Sequence, residues 1–199
     1  MSNLAKALSL RKVDKEFCMR RMFRRQIRKT LDQNIPPVLQ EANFVFDKGE
    51  YGRAAELFEN IAKTADARGG PRAPLFHLQA GRARVFAGQT KLGIPSLKRG
   101  LELFAQRGQL HKLHQAGSRV LSELSARGLT AETDEIESFL RQLSPSGPGI
   151  ETPSAPAKRP VLPTHCPSCG AALRLDEVEW LDDVTAECAY CGSPVREED

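Results

Sequence analysis

Helix-forming Leu, Met, Lys and Arg dominate the first 35 residues, and neither glycine nor proline occurs there to turn the chain. The pattern predicts one long helix over roughly residues 3–33. In its second half Met19, Phe23, Ile27 and Leu31 recur at i, i+4 as one apolar stripe, while Arg21, Arg24, Arg25 and Arg28 project from the other side. The Pro36-Pro37 pair ends this arm and can open the next helix at its first turn. Helical spacing then returns in short pieces. The first runs from Val38 to Lys48, and after Gly49 the second runs from Tyr51 to Lys63 with Ala54, Ala55, Leu57, Phe58, Ile61 and Ala62 inward. A Gly/Pro-rich loop spans Arg68 to Pro74. Beyond it, Leu75 to Ala87 and Ile94 to Gln106 flank Gly88, and Leu110 to Arg127 and Glu132 to Leu143 flank Gly128.

Pairs of short helices joined at a glycine are helical hairpins, and the joints at Gly49, Gly88 and Gly128 stand 39 and 40 residues apart. A fixed period of this size is the mark of stacked hairpins. The first copy carries Ala42, Asn43, Gly49, Tyr51, Ala54 and Phe58. In this set the chain resembles the tetratricopeptide repeat family: the small residue and Asn of its first helix, its turn Gly-x-Tyr, and the small and aromatic positions of its second helix. The second copy keeps Gly81, Gly88, Gly93 and Gly100 where small residues let helices approach, with Leu97 at the aromatic position; the third keeps Gly128 and its pattern. The resemblance covers residues 36–143 and departs from the family in its longer period and in lacking the proline that closes each repeat. It implies a concave groove lined by the first helix of each hairpin, with Asn43, Phe46 and Arg82 facing a bound peptide or helix.

Six prolines fall in the twenty residues from Ser144 to Pro163. Such a segment extends at about 3 Å per residue, so it reads as a flexible linker able to hold its flanking modules as much as roughly 60 Å apart. The terminal module is therefore expected to be a tethered head, free to reorient.

That module carries Cys166-Pro-Ser-Cys169-Gly and Cys188-Ala-Tyr-Cys191-Gly, with eighteen residues between Cys169 and Cys188. Two C-x-x-C pairs at this separation fit a zinc site, because each pair wraps a tight turn that aims two thiolates at one ion. Gly170 and Gly192 permit that turn. Between the pairs Leu173 and Leu175, Val178 and Trp180, and Val184, Ala186 and Cys188 alternate with polar residues, and Asp182-Asp183 supply a turn, which predicts short antiparallel strands. Over residues 164–195 the chain resembles the zinc-ribbon family, with Cys166, Cys169, Cys188 and Cys191 at its ligand positions. A ribbon this small buries too little to fold alone, so the ion is expected to be a structural Zn²⁺, with iron as the competitor at similar knuckles. His165 adjoins the first ligand in an outer or solvent role, and Cys18 is a bystander. Trp180 either caps the ribbon's small core or, with Tyr190, meets a partner.

The expected fold is thus mainly α: a basic helical arm (1–34), a helical-hairpin stack (35–143), a linker (144–163) and a β zinc ribbon with an acidic tail (164–199). Composition alone, with 40% hydrophobic and 27% charged residues in 199, is that of a soluble globular protein. Charge divides along it. Residues 1–30 hold ten Lys/Arg against two Asp/Glu, residues 31–150 fifteen against thirteen, and residues 151–199 four against ten, so +8, +2 and −6 make the net +4. The arm's stripe packs on the following domain, or the arm recruits acidic protein, anionic membrane or nucleic acid; a further option docks it on the acidic ribbon. An acidic ribbon is poorly suited to phosphates and argues for a protein partner.

No apolar run approaches the ~20 residues of a membrane span, no secretory leader is evident, and paired cysteines beside a lone one suit a reducing compartment, so a cytoplasmic location is expected. His77, His111 and His114 lie in the repeats without a nucleophile or carboxylate at a telling spacing, and neither a phosphate loop nor a nucleophile elbow is present. The expectation is a non-enzymatic scaffold joining protein partners, with no small-molecule substrate. The alternatives are a nucleic-acid-associated ribbon factor or a peripheral membrane adaptor, each using the arm.

Overall fold

The structure, a computed structural model, describes residues 35–143, 161–175, 178–181 and 184–196. The arm with Arg21, Arg24, Arg25 and Arg28, Cys18, the proline-rich residues 144–160, the Asp182-Asp183 turn and the acidic tail lie outside the described residues. Within them six helices run in order: α1 (Pro37–Asp47), α2 (Tyr51–Ala67), α3 (Ala73–Phe86), α4 (Thr90–Gln106), α5 (Leu110–Ala126) and α6 (Thr130–Leu143). A three-stranded antiparallel sheet follows, β1 (Glu179–Trp180), β2 (Thr185–Glu187) and β3 (Pro194–Arg196), in the order β1-β2-β3.

Each of α1 to α5 ends in the same way. At the end of α3, Gly88 takes φ +74°, its amide donates to Val85 O at 3.0 Å, and the next amide, of Gln89, reaches back to Arg84 O at 2.8 Å. This left-handed glycine cap satisfies carbonyls that a helix end would otherwise leave unpaired, and only glycine adopts it without a Cβ penalty. The recurrence of that cap is why the glycine period marks the hairpins. Boundaries differ from the pattern by a full turn in two places and by one or two residues elsewhere. Helix α2 runs one turn past Lys63, to Ala67, and α4 starts at Thr90 because Gly93 and Pro95 are accommodated inside it; Pro95 sits on the exposed side, where its missing amide and its ring disturb no packing.

Helices α3 and α4 touch through glycines. A Cβ on Gly93 would lie 2.8 Å from Gly81 O, and one on Gly100 would lie 2.7 Å from Pro74 O. Backbones this close leave no room for a methyl group, and Leu97, 1% exposed, fills the remaining space. Helix α3 has no exposed residue. Its Phe76, Ala80 and Ala83 join a core with Leu39, Ala42, Val45, Ala54, Ala55 and Phe58, while its Leu78 and Val85 join a second core with Ile94, Leu101, Leu113, Val120, Leu124 and Ile136.

The first of these cores also contains Cys166, Cys169, Ala171, Cys188, Tyr190 and Val195. The expectation of a head free to reorient is therefore corrected: the C-terminal module shares a core with the first hairpin and α3. The polar positions on the inner faces of α1 and α3, which the apolar pattern alone left as solvent or partner surface, are its seat. The strand reading is corrected as well. Leu173 and Leu175 form no strand, though Ala172 makes an isolated bridge with His165, and Leu175 and Val184 are exposed. The third strand is Pro194–Arg196, in which Val195 alone faces inward, opposite Ala186. One apolar residue between a proline and an arginine is too short a pattern to predict a strand.

The glycine contact yields a test. A Cβ at Gly81 would stand 2.6 Å from Leu97 Cγ and 2.9 Å from Gly93 O, whereas one at Gly52 would meet nothing within 4 Å. Gly81→Ala is expected to cost about 1–3 kcal/mol in urea denaturation, and Gly52→Ala to leave stability at or above the parent's. Equal stability of the two variants would refute the tight α3/α4 contact.

Candidate metal centre and its seat

The two C-x-x-C segments fold as one turn made twice. In the first, the Cys166 amide donates to Ala171 O and the Gly170 amide to Cys166 O, both at 2.8 Å; in the second, the Cys188 amide donates to Ser193 O at 2.9 Å and the Gly192 amide to Cys188 O at 2.8 Å. Gly170 (φ +75°) and Gly192 (φ +79°) supply the left-handed residue that closes each turn.

The turns bring the four sulfurs together. All lie within 4.8 Å of one another, with Cys166 Sγ to Cys191 Sγ at 3.7 Å and Cys169 Sγ to Cys188 Sγ at 3.9 Å. Four sulfurs bound at about 2.3 Å to a central ion would stand about 3.8 Å apart in a tetrahedron. The residues present fit a four-thiolate metal site, and the cluster is a donor set able to hold a metal ion. Cys166, Cys169 and Cys188 are buried and Cys191 is half-buried. Hydrogen bonds among the sulfurs divide the protons unequally. Those from Cys169 and Cys188 draw the Cys166 thiol down to about 7, and those from Cys166, Cys169 and Cys188 draw the Cys191 thiol well below its ordinary value. Cys169 and Cys188, which give those bonds and are themselves buried, are pushed up. A divalent cation would displace the shared protons and relieve the repulsion among four thiolates.

The helices hold the knuckles by their backbone. Asn43 Nδ2 donates to Cys169 O and Gln40 Nε2 to Ser168 O, each at 2.8 Å. Arg72 Nε donates to Ala189 O at 3.1 Å, and its guanidinium pairs with Glu187 at 3.3 Å. Gln79 Nε2 donates to the Tyr190 hydroxyl. Tyr190 is 5% exposed; burial raises its pKa, against the opposing pull of Arg82 and Arg119, so the phenol stays neutral. At the rim His165 Nε2 lies 3.6 Å from Asp47 and Arg174 lies 3.6 Å from Glu123.

Of the residues expected to face a partner groove, Asn43 is buried against the first knuckle. Phe46 is half-buried in an aromatic cluster, 5.2 Å from Tyr51 and 5.5 Å from Phe86 between ring centres. Arg82 Nε pairs with Glu123 at 2.7 Å and its Nη1 donates to Gln79 Oε1 at 3.1 Å. Trp180 is half-buried in β1, paired with Ala186. His77 sits 3.3 Å from Asp66, away from the sulfurs. Gln40, Arg72 and Gln79 were missed by sequence reasoning. A signal for two of them existed, since Gln40 and Gln79 are 39 residues apart, the same step as Gly49 to Gly88.

In comparisons with known proteins, no family model matches the chain, and neither a curated protein nor a solved structure matches it.

Asn43 offers the sharpest probe of the seat. Asn43→Ala would leave the Cys169 carbonyl buried without its donor, a loss expected to cost about 1–3 kcal/mol. Urea denaturation of the metal-loaded protein measures this. An unchanged midpoint would mean that the knuckle is not held through this bond.

Proposed function

We propose that this chain is a non-enzymatic protein-interaction adaptor, built from a tetratricopeptide-like hairpin stack and a zinc ribbon that serves as a structural element. The observation that carries the reading is the chemistry of the groove. Side-chain amides on α1 and a guanidinium in the loop before α3 reach main-chain carbonyls of polypeptide turns, and an amide on α3 reaches a tyrosine hydroxyl, which is how such a groove holds a peptide. Here the captured turns belong to the chain's own ribbon, so the groove is a polypeptide-binding surface with its first occupant built in.

The donor set supports zinc. Four thiolates leave no coordination position for water, which suits a structural ion and not a hydrolytic one. The ion would be held by Cys166, Cys169, Cys188 and Cys191 and would supply folding energy to the ribbon, on the order of 10–16 kcal/mol in small zinc-dependent peptides. Thiols must stay reduced for this, which favours a reducing compartment such as the cytoplasm. Among the described residues, no helix is long and apolar enough to cross a membrane.

Elemental analysis of the purified chain is expected to return one zinc per molecule, and Cys188→Ser to abolish it; iron in that stoichiometry from metal-replete cells would overturn the zinc assignment. For the adaptor reading, intact chain and a version lacking residues 1–34 are used as bait after nuclease treatment. A protein partner that persists at high salt is the expected result. Retention of nucleic acid, or sedimentation with anionic but not neutral vesicles, abolished by high salt and by removal of the arm, would replace the adaptor with one of the arm-based alternatives.

A further inference from the structure

The step of 39 and 40 residues sets three equivalent rungs on the inner helices. Gln40, Gln79 and Arg119 form one series and Asn43, Arg82 and Ser122 the other. The first two rungs serve the ribbon: Gln40 and Asn43 hold the first knuckle, Gln79 holds Tyr190, and Arg82 supports Gln79. At the third rung, on α5, none of the described side chains of the C-terminal module takes the corresponding place. A solvent-facing cleft of about 470 Å³ opens there, lined by Gln115, Ser118, Arg119, Ser122 and Glu123 of α5 and by Arg174 of the ribbon.

The lining is rich in donors. It contains two guanidiniums, two exposed hydroxyls and an amide beside one carboxylate, Glu123, which pairs with Arg82 at 2.7 Å and with Arg174 at 3.6 Å. The Arg174 contact is long and Arg174 is 41% exposed, so an incoming carboxylate can compete for that guanidinium at little cost. We propose that this cleft binds an acidic peptide segment of a partner protein, whose carboxylates are read by Arg119 and Arg174 with Ser118 and Ser122 as flanking donors. The inference rests on the adaptor reading and assigns its binding site.

Two observations select a peptide over other anions. The cleft continues a groove whose first two rungs already grip polypeptide, and it is open enough for a chain to pass through. One wall of the cleft is Arg174, so the site is complete only while the ribbon is seated.

The test uses the full metal-loaded chain, panned against displayed random dodecapeptides, with selected peptides then titrated by fluorescence anisotropy. Enrichment of peptides bearing Asp or Glu is expected. Affinity should fall by about tenfold or more in Arg119→Gln/Arg174→Gln, as for loss of charge-assisted hydrogen bonds, and by a similar factor in Ser118→Glu, an exposed position where the added carboxylate leaves the fold intact. Selected peptides without acidic residues, or acidic ones bound equally by both variants, would overturn this site while leaving the adaptor reading standing. Recovery of no binding peptide at all would overturn both.

Discussion

Four thiol sulfurs within 4.8 Å of one another cannot all carry charge without a cation among them, and the C-terminal module is organised around that repulsion. The sulfurs converge because two glycine-closed turns aim them inward, and those turns expose main-chain carbonyls on the outside. Such carbonyls need donors if they are to be buried. The helical stack provides them: Asn43 to Cys169 O, Gln40 to Ser168 O and Arg72 to Ala189 O. The metal site and the helices are therefore not two modules that happen to touch. The knuckle geometry that suits an ion is also the geometry that presents the acceptors.

This interlock changes the meaning of the polar residues on α1 and α3. Polar side chains on a helix face are ordinarily satisfied by water unless a partner covers them. In this chain the first two rungs are satisfied internally. Their side chains are oriented by permanent partners, and Arg82, fixed between Gln79 and Glu123, carries that order across to α5. Order at the third rung then depends on the ribbon in two ways, through the Tyr190, Gln79, Arg82, Glu123 series and through Arg174 as a wall.

Much of the helical architecture was legible because it rests on local signals. A left-handed cap needs glycine, so Gly49, Gly88 and Gly128 announce their turns in the residue type itself, and the burial of Ala54, Ala55, Phe58 and Ala62 follows from helical spacing. The sulfur cluster was legible for the same reason, since C-x-x-C followed by glycine is a local turn. The seating of the ribbon was not. It is made of long-range bonds between single polar side chains and backbone carbonyls, and a carbonyl has no sequence signature. Gln40 and Asn43 look the same in sequence whether they meet water, a partner or Cys169. Strand β3 escaped because pairing with Ala186, and not its own pattern, makes Val195 part of a sheet. The additional turn of α2 lacked a breaker to mark its end before Gly69.

Helix α3 decides how far the influence of the knuckles extends. Among the described helices it is the one whose buried residues belong to both cores, giving Phe76, Ala80 and Ala83 to the core shared with the C-terminal module and Leu78 and Val85 to the core of α4, α5 and α6. Its contact with α4 is made through glycine backbones at distances that admit no slack, and close-packed backbones transmit a displacement where a layer of flexible side chains would absorb it. Loss of the ribbon would strip Tyr190 and the knuckle cysteines from one side of α3 and leave Gln79 without its partner. Helix α3 would then be held by its packing on α2 and α4 alone. The cooperative unit is accordingly larger than the C-terminal module: knuckles, first hairpin and α3 form one set of mutually dependent contacts, with α5 and α6 joined to it through α4 and the Arg82 to Glu123 pair.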